Sequence, residues 1–240
     1  MTNILDHFLQ RITEFHPKTM DELFTLRLAQ KLSEPSAAAD YAALLAEHPL
    51  ERLLTAYRCA VKAGNELAMK DQFYRHLRAG HGRLTYPEAV RLMAIKVERR
   101  SVAAAVYDRR QIEYTQVRHL ASSSGRAQAS AVGFINWICS NYDIQSATME
   151  TAFDDNNVRR TVLTKTLLED CILGRNVSFW PVSKQELLQG FGYPALETRK
   201  ELREVILSIW PALQDERASE QQLDAVALGA LVQTDRLFII

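Results

Sequence analysis

Nine arginines between residues 75 and 118 are the side chains of this sequence best suited to a specific chemistry: Arg75, Arg78, Arg83, Arg91, Arg99, Arg100, Arg109, Arg110 and Arg118. A guanidinium presents a planar fork of N–H donors that fits two oxygens of one phosphate, and it stays charged throughout the physiological pH range. The segment around them is basic. Residues 52–126 carry 15 Lys/Arg against 6 Asp/Glu (+9), residues 1–51 carry 4 against 8 (−4), and residues 127–240 carry 10 against 15 (−5). The formal net charge of zero therefore hides a polarised chain. Tyr107 and Tyr114 interleave with the arginines. A basic face with aromatics tracks a phosphate backbone and stacks unpaired bases. On a helix, residues eleven apart lie about 20° from one azimuth and roughly 16 Å apart, so Arg99 and Arg110 are expected to share a face.

Other chemistries find little support. Cys59, Cys139 and Cys171 are odd in number and far apart, which argues against a disulfide framework and a structural zinc site. His76 and His81 are five residues apart across Gly80, a poor metal spacing. His119 beside Ser122-Ser123-Ser124 forms no nucleophile elbow, and Glu169-Asp170 reads as an exposed helical pair. Gly190-Phe191-Gly192 lacks the downstream Lys-Ser/Thr of a phosphate loop. The sequence alone therefore predicts no cofactor, no metal and no catalysis. Residues 1–7 hold no positive region followed by an apolar run, and no segment approaches the roughly 18 apolar residues of a membrane span. A reducing cytoplasm, with no membrane contact, is the expected setting.

The elements that must carry these side chains all read as helices. Ile4, Leu5, Phe8, Leu9 and Ile12 share a helical face before Pro17. Thr19-Met20-Asp21-Glu22 is a capping box leading Leu23, Leu26 and Leu32. Ser36, Pro49 and Asn65 each suit the start of a further helix, with Gly64 and Gly80 as stops. Thr85-Tyr86-Pro87-Glu88 opens a stretch without Gly or Pro until Gly125. It is expected to be one long helix or two with a break near Ser101. A hairpin through 102–120 is less favoured, because no turn dipeptide divides it. Ser122-Ser123-Ser124-Gly125 is the expected domain boundary. Beyond it lie a buried helix around Val132–Ile138, a helix from Asp154-Asp155-Asn156-Asn157 to Ile172, a capping box at Ser183-Lys184-Gln185-Glu186, and helices near 195–209 and 219–232.

Residues 183–205, from Ser183 through Gly190-Phe191-Gly192-Tyr193-Pro194 to Glu197-Thr198-Arg199-Lys200-Glu201-Leu202-Arg203, resemble the helix-turn-helix of bacterial DNA-binding regulators. That resemblance implies that Thr198, Arg199, Lys200 and Arg203 face DNA. Residues 152–163, with Asp154-Asp155 before Val158-Arg159, are similar to the inter-helix turn of a HEAT-type repeat, which implies that Val158 packs inward.

The resulting expectation is an all-α protein of two packed multi-helix units, 1–121 and 126–240, with a helix-turn-helix-like corner at 184–203. Its expected function is non-catalytic binding of DNA or RNA through the arginine face. The alternative is a helical adaptor or complex subunit without nucleic acid. Leu237, Phe238, Ile239 and Ile240 end the sequence on four large apolar side chains, and these are expected to dock on the core, a protein partner or a second copy.

Overall fold

In the computed structural model, the described residues are 14–33, 91–109, 111–151, 157–175 and 177–235. Arg75, Arg78, Arg83, Arg110, the helices expected before residue 90 other than the one at Thr19, and the tail Leu237–Ile240 lie outside them.

The all-α expectation is overturned by a five-stranded mixed sheet. Its strands are β1 (Arg91–Val97), β2 (Ser101–Asp108), β3 (Gln111–His119), β4 (Ile144–Glu150) and β5 (Ser178–Val182). The order across the sheet is β3-β2-β1-β4-β5. β1, β2 and β3 form an antiparallel meander, and β4 and β5 join it in parallel. The helix expected across 85–121 is thus three strands wherever that stretch is described. Its central strands are covered on both faces, so they read as continuous apolar runs without the alternation that marks a half-exposed strand. Ala103-Ala104-Ala105 suggests helix by propensity. In β2 these residues are fully buried between two helical layers.

Seven helices are described. They are α1 (Met20–Ser33), α2 (Ser124–Tyr142), α3 (Val158–Leu167), α4 (Lys184–Gly190), α5 (Arg199–Ile209), α6 (Ala212–Asp215) and α7 (Glu220–Asp235). α3 continues through a π turn, Leu168–Ile172, and a short 3₁₀ turn, Leu173–Arg175. One face of the sheet, including Ala94, Ala103, Ala105 and Tyr107, packs with α7, α5, α4 and α1. The other, including Met93, Ile95, Val102, Ala104 and Val106, packs with α2 and α3. Ser122–Gly125 leads from β3, an edge strand of the sheet, into α2 of this second layer.

Local chemistry explains the helix starts. Thr19 Oγ1 accepts from the Glu22 amide at 3.1 Å. Ser183 with Glu186, and Thr198 with Glu201, form reciprocal capping boxes. Asn157, not Asp154 or Asp155, caps α3 by accepting from the Arg160 amide. The element before it is β4, not a helix, and Val158 is 76% exposed, so the HEAT-type turn is corrected as well.

α7 is buried almost all round, from Leu223 to Thr234. Gly229 lets it approach the sheet, because a Cβ there would reach Tyr107 Cδ2 at 2.7 Å and overlap the rest of that ring. Tyr107 donates its hydroxyl to the Val226 carbonyl at 2.7 Å, and burial raises its pKa well above the ordinary value.

Candidate functional site

In an open sheet, the place to look for a site is the carboxyl end of parallel strands, where successive connections leave in opposite directions. Here that place lies between β1, whose chain continues to β2 on one side, and β4, whose chain continues to β5 on the other. Three charged side chains converge there. Lys96 is the penultimate residue of β1, Glu150 is the last residue of β4, and Asp224 stands early in α7. Their side chains are 2%, 6% and 3% exposed.

Lys96 Nζ pairs with Glu150 Oε2, and lies 3.3 Å from Glu98 Oε1 and 3.9 Å from Asp224 Oδ2. Arg199, the first residue of α5, bridges both carboxylates. One guanidinium nitrogen meets Glu150 Oε1 and the other lies 3.3 Å from Asp224 Oδ2. Arg203, one helical turn on, donates to Asp224 at 2.8 and 3.2 Å and pairs with Glu220 at 2.8 Å. Arg160 of α3 lies 3.8 Å from Glu150 Oε1. Four cations thus face four carboxylates, and the innermost are nearly dry.

The pKa directions follow from this packing. Burial alone would raise the Glu150 carboxyl, but Lys96, Arg199 and Arg160 outweigh it and hold its pKa below the ordinary range. Burial would lower Arg203, and Asp224 and Glu220 outweigh it in the other direction. A carboxyl depressed in the folded state adds stability above its unfolded pKa, and this is lost as pH falls through the folded value. Glu150→Gln is therefore expected to flatten the loss of stability between about pH 5 and pH 3, around the ordinary carboxylate value. Urea midpoints at a series of pH values measure this, and an unchanged acid slope would show that Glu150 does not carry it.

Nuclease and phosphatase sites often hold divalent metals between carboxylates. As the side chains stand, no group of three or more His, Cys, Asp or Glu among the described residues is placed to hold a metal ion. Glu150 and Asp224 are already neutralised by an ammonium and three guanidinium groups. The residues present do not fit a divalent ion.

The arginines named from sequence divide between two ends of the sheet. Arg99 and Arg100 form the β1–β2 turn, beside Lys96, and both are exposed. Arg118 and His119 end β3 at the same edge, since Val102 pairs with Arg118 and Ser101 with His119. The Leu120 amide donates to the Arg100 carbonyl at 2.8 Å. Arg159 donates to the carbonyls of Ser122, at 2.9 Å, and Ala121, which ties the start of α3 to that edge. Arg91 opens β1 and Arg109 sits in the β2–β3 turn, at the opposite end. In place of the helical face expected to join Arg99 and Arg110, Arg99 and Arg100 lie in one hairpin turn and Arg109 in another, and Arg110 is outside the described residues. The eight residues of β2 separate the two turns, roughly 25 Å by strand rise.

Thr198 caps α5, Lys200 points outward beside Glu204, and Arg199 and Arg203 turn inward to carboxylates. The connection from α4 to α5 runs from Phe191 through Thr198, eight residues, whereas a helix-turn-helix uses three or four. It contains a cis Tyr193–Pro194 bond, and its Tyr193 forms a backbone bridge to Phe15.

Lys96, Glu150, Asp224 and Arg160 were not singled out in the sequence. Their signal is a lone charge inside an apolar run: Lys96 in Leu92–Val97, and Asp224 in Leu223–Leu231. Such a charge must be paired once buried. A separate cleft of about 530 Å³ opens between β3 and the α5–α6 corner, lined by Tyr114, Thr115, Trp210 and Leu213 among others. It lies toward the far end of α5 from Arg199, and no charged cluster of this kind converges on it.

No known family description and no curated protein matches this sequence. Solved structures do. RuvC of Thermus thermophilus in complex with a Holliday junction substrate superposes with a TM-score of 0.50 at 8% identity, covering 61% of this chain and 94% of that one. A second structure of Thermus thermophilus RuvC gives 0.51 at 9% identity, over 61% of this chain and 95% of that one. The yeast mitochondrial Holliday junction resolvase gives 0.43 at 9% identity, over 78% and 95%. The expectation of a chain without catalysis is corrected on this ground. It rests on missing motifs, and the fold this chain shares is that of RuvC, which was solved with a Holliday junction substrate. The sheet order, the helix layers and the extent of the match together give this chain the fold of RuvC.

Proposed function

We propose that this chain acts on branched DNA and grips the phosphate backbone along the carboxyl-end edge of β1 and β4. The observation that carries this reading is the convergence of exposed cations on that edge. Arg99, Arg100, Arg118 and Arg126 lie there on the β2–β3 side, beside the buried Lys96–Glu150–Asp224 cluster. α2, α3 and α4 each follow a strand that ends at that edge, and the first residue of α5 reaches Glu150 there, so helix N-termini lie near it. The substrate class is supported by the likeness to RuvC, which was solved on a Holliday junction. The fold admits that geometry, and the arginines supply a sequence-independent grip.

The α5 start sets how the cluster meets a phosphate. Arg199 and Arg160 are 18% and 15% exposed against 6% for Glu150, so a phosphate reaching this pair meets guanidinium groups before the Glu150 carboxylate. Those groups stabilise negative charge on phosphate oxygens.

The test compares a labelled four-way junction with a linear duplex of equal length by gel shift. Strand scission is read in the same samples with and without EDTA. The junction is expected to bind at least about tenfold more tightly, a difference of about 1.4 kcal/mol. Reversing Arg99, Arg100 and Arg118 to Glu is expected to weaken binding on every sequence and to flatten its salt dependence, because fewer counterions are released. Equal affinity for both DNAs, or an unchanged salt slope in the folded variant, would overturn the reading. A protein partner on this edge is the alternative that such a result would favour.

A further inference from the structure

Lys96 Nζ lies among one oxygen from each of three carboxylates: Oε2 of Glu150, Oε1 of Glu98 and Oδ2 of Asp224. Three convergent carboxylate oxygens are the donor set of a hard divalent cation. An ammonium is compact, carries three donors and has no acceptor, and here it bonds Glu150 Oε2 and faces the other two oxygens as a single charge. Arg199 completes the neutralisation by bridging Glu150 and Asp224 from the α5 side. We infer that Lys96 is a built-in cation that fills a carboxylate metal site and closes Glu150 and Asp224 to divalent ions in the native chain.

The packing holds the ammonium there. β1 and β4 are adjacent and parallel, with Ile95 opposite Met149, so Lys96 and Glu150 follow as neighbours. Lys96 is among the largest fully buried side chains, and it stands opposite Ala103 of β2 in the sheet. Withdrawing it would leave buried carboxylates facing one another, a costly arrangement in a dry site. A divalent ion would relieve that cost once the lysine is gone. The inference concerns the chain and a metal ion alone, and does not depend on the DNA reading.

Manganese titration followed by electron paramagnetic resonance and by thermal melting tests it. The native chain is expected to bind no Mn²⁺ that Glu150→Gln removes, and to melt at the same temperature with Mn²⁺ as in EDTA at matched ionic strength. Lys96→Ala is expected to melt lower in EDTA and to recover on adding Mn²⁺, binding at least about tenfold more tightly than the native chain. Adding Glu150→Gln to Lys96→Ala should abolish that recovery. If Lys96→Ala does not fold without metal, folding on addition of Mn²⁺ reads the same expected result. Lys96→Gln, which keeps the buried stem, serves as the second variant. Binding of Mn²⁺ by the native chain in a Glu150-dependent way would overturn the inference. So would folded Lys96→Ala and Lys96→Gln variants that ignore Mn²⁺, since the lysine would then be a core ion pair and nothing more.

Discussion

Replacing Glu150 by alanine is expected to cost about 3–5 kcal/mol of folding stability, the range for removing one partner from a buried ion pair. Lys96 is 2% exposed and cannot turn to water without drawing its stem out of the core. Arg199 and Arg160 lose the same carboxylate. Most of the loss is the desolvation of cations left without a partner, not the worth of the pair itself. The double variant Glu150→Ala with Lys96→Met separates these terms. An apolar side chain of similar length removes the stranded charge, and much of the loss should return. Urea unfolding measures both, with an unchanged slope confirming that only stability moved. A cost below about 1 kcal/mol for Glu150→Ala alone would place the pair in the range of solvated ion pairs.

Gly229→Ala is expected to cost about 3 kcal/mol, at the upper end of ordinary overpacking. The added methyl meets the Tyr107 ring, and that ring has no easy retreat. Its hydroxyl is held by the Val226 carbonyl, and its edge packs on Trp210 with centroids 6.1 Å apart. Shortening the obstacle should return part of the loss, so Gly229→Ala combined with Tyr107→Leu is expected to be more stable than the two single costs imply. Non-additivity of this kind is the mark of residues in contact. Strict additivity would mean that α7 shifts away from the sheet instead.

The sequence reveals the helical half of the fold because helix ends carry local chemistry. Thr19 and Ser183 are read from three or four neighbouring residues, and the structure keeps both starts, whereas α3 takes Asn157 as its cap in place of Asp154 or Asp155. The sheet leaves no such mark. β1 and β2 are apolar on both faces, and their turns use Glu98-Arg99-Arg100 and Asp108-Arg109 with no glycine or asparagine. Arg109 adopts φ 59°, a conformation sequence rules assign to Gly or Asn, so the turn is invisible to them. The arginines drew attention for their number, and the exposed ones at 99, 100 and 118 do share an edge. The cluster beside them is built from residues 96, 150, 199 and 224. Only parallel pairing of β1 with β4 and the docking of α7 bring those together, and neither is encoded within a short window.

The burial of α7 also governs the order in which the molecule can assemble. The Tyr107 hydroxyl and the Val226 carbonyl it binds are 119 residues apart in sequence. Contacts of such span form late and slow folding, because the loop must close before any contact rewards it. Until α7 docks, the face of Ala94, Ala103, Ala105 and Tyr107 is open to water, and Lys96 lacks Asp224. The meander of β1, β2 and β3 can pair early through its short turns, while the charged cluster closes only as the last described helix arrives. Docking of α7 is therefore expected to cover the Ala94–Tyr107 face and to bring Asp224 to Lys96 in the same step.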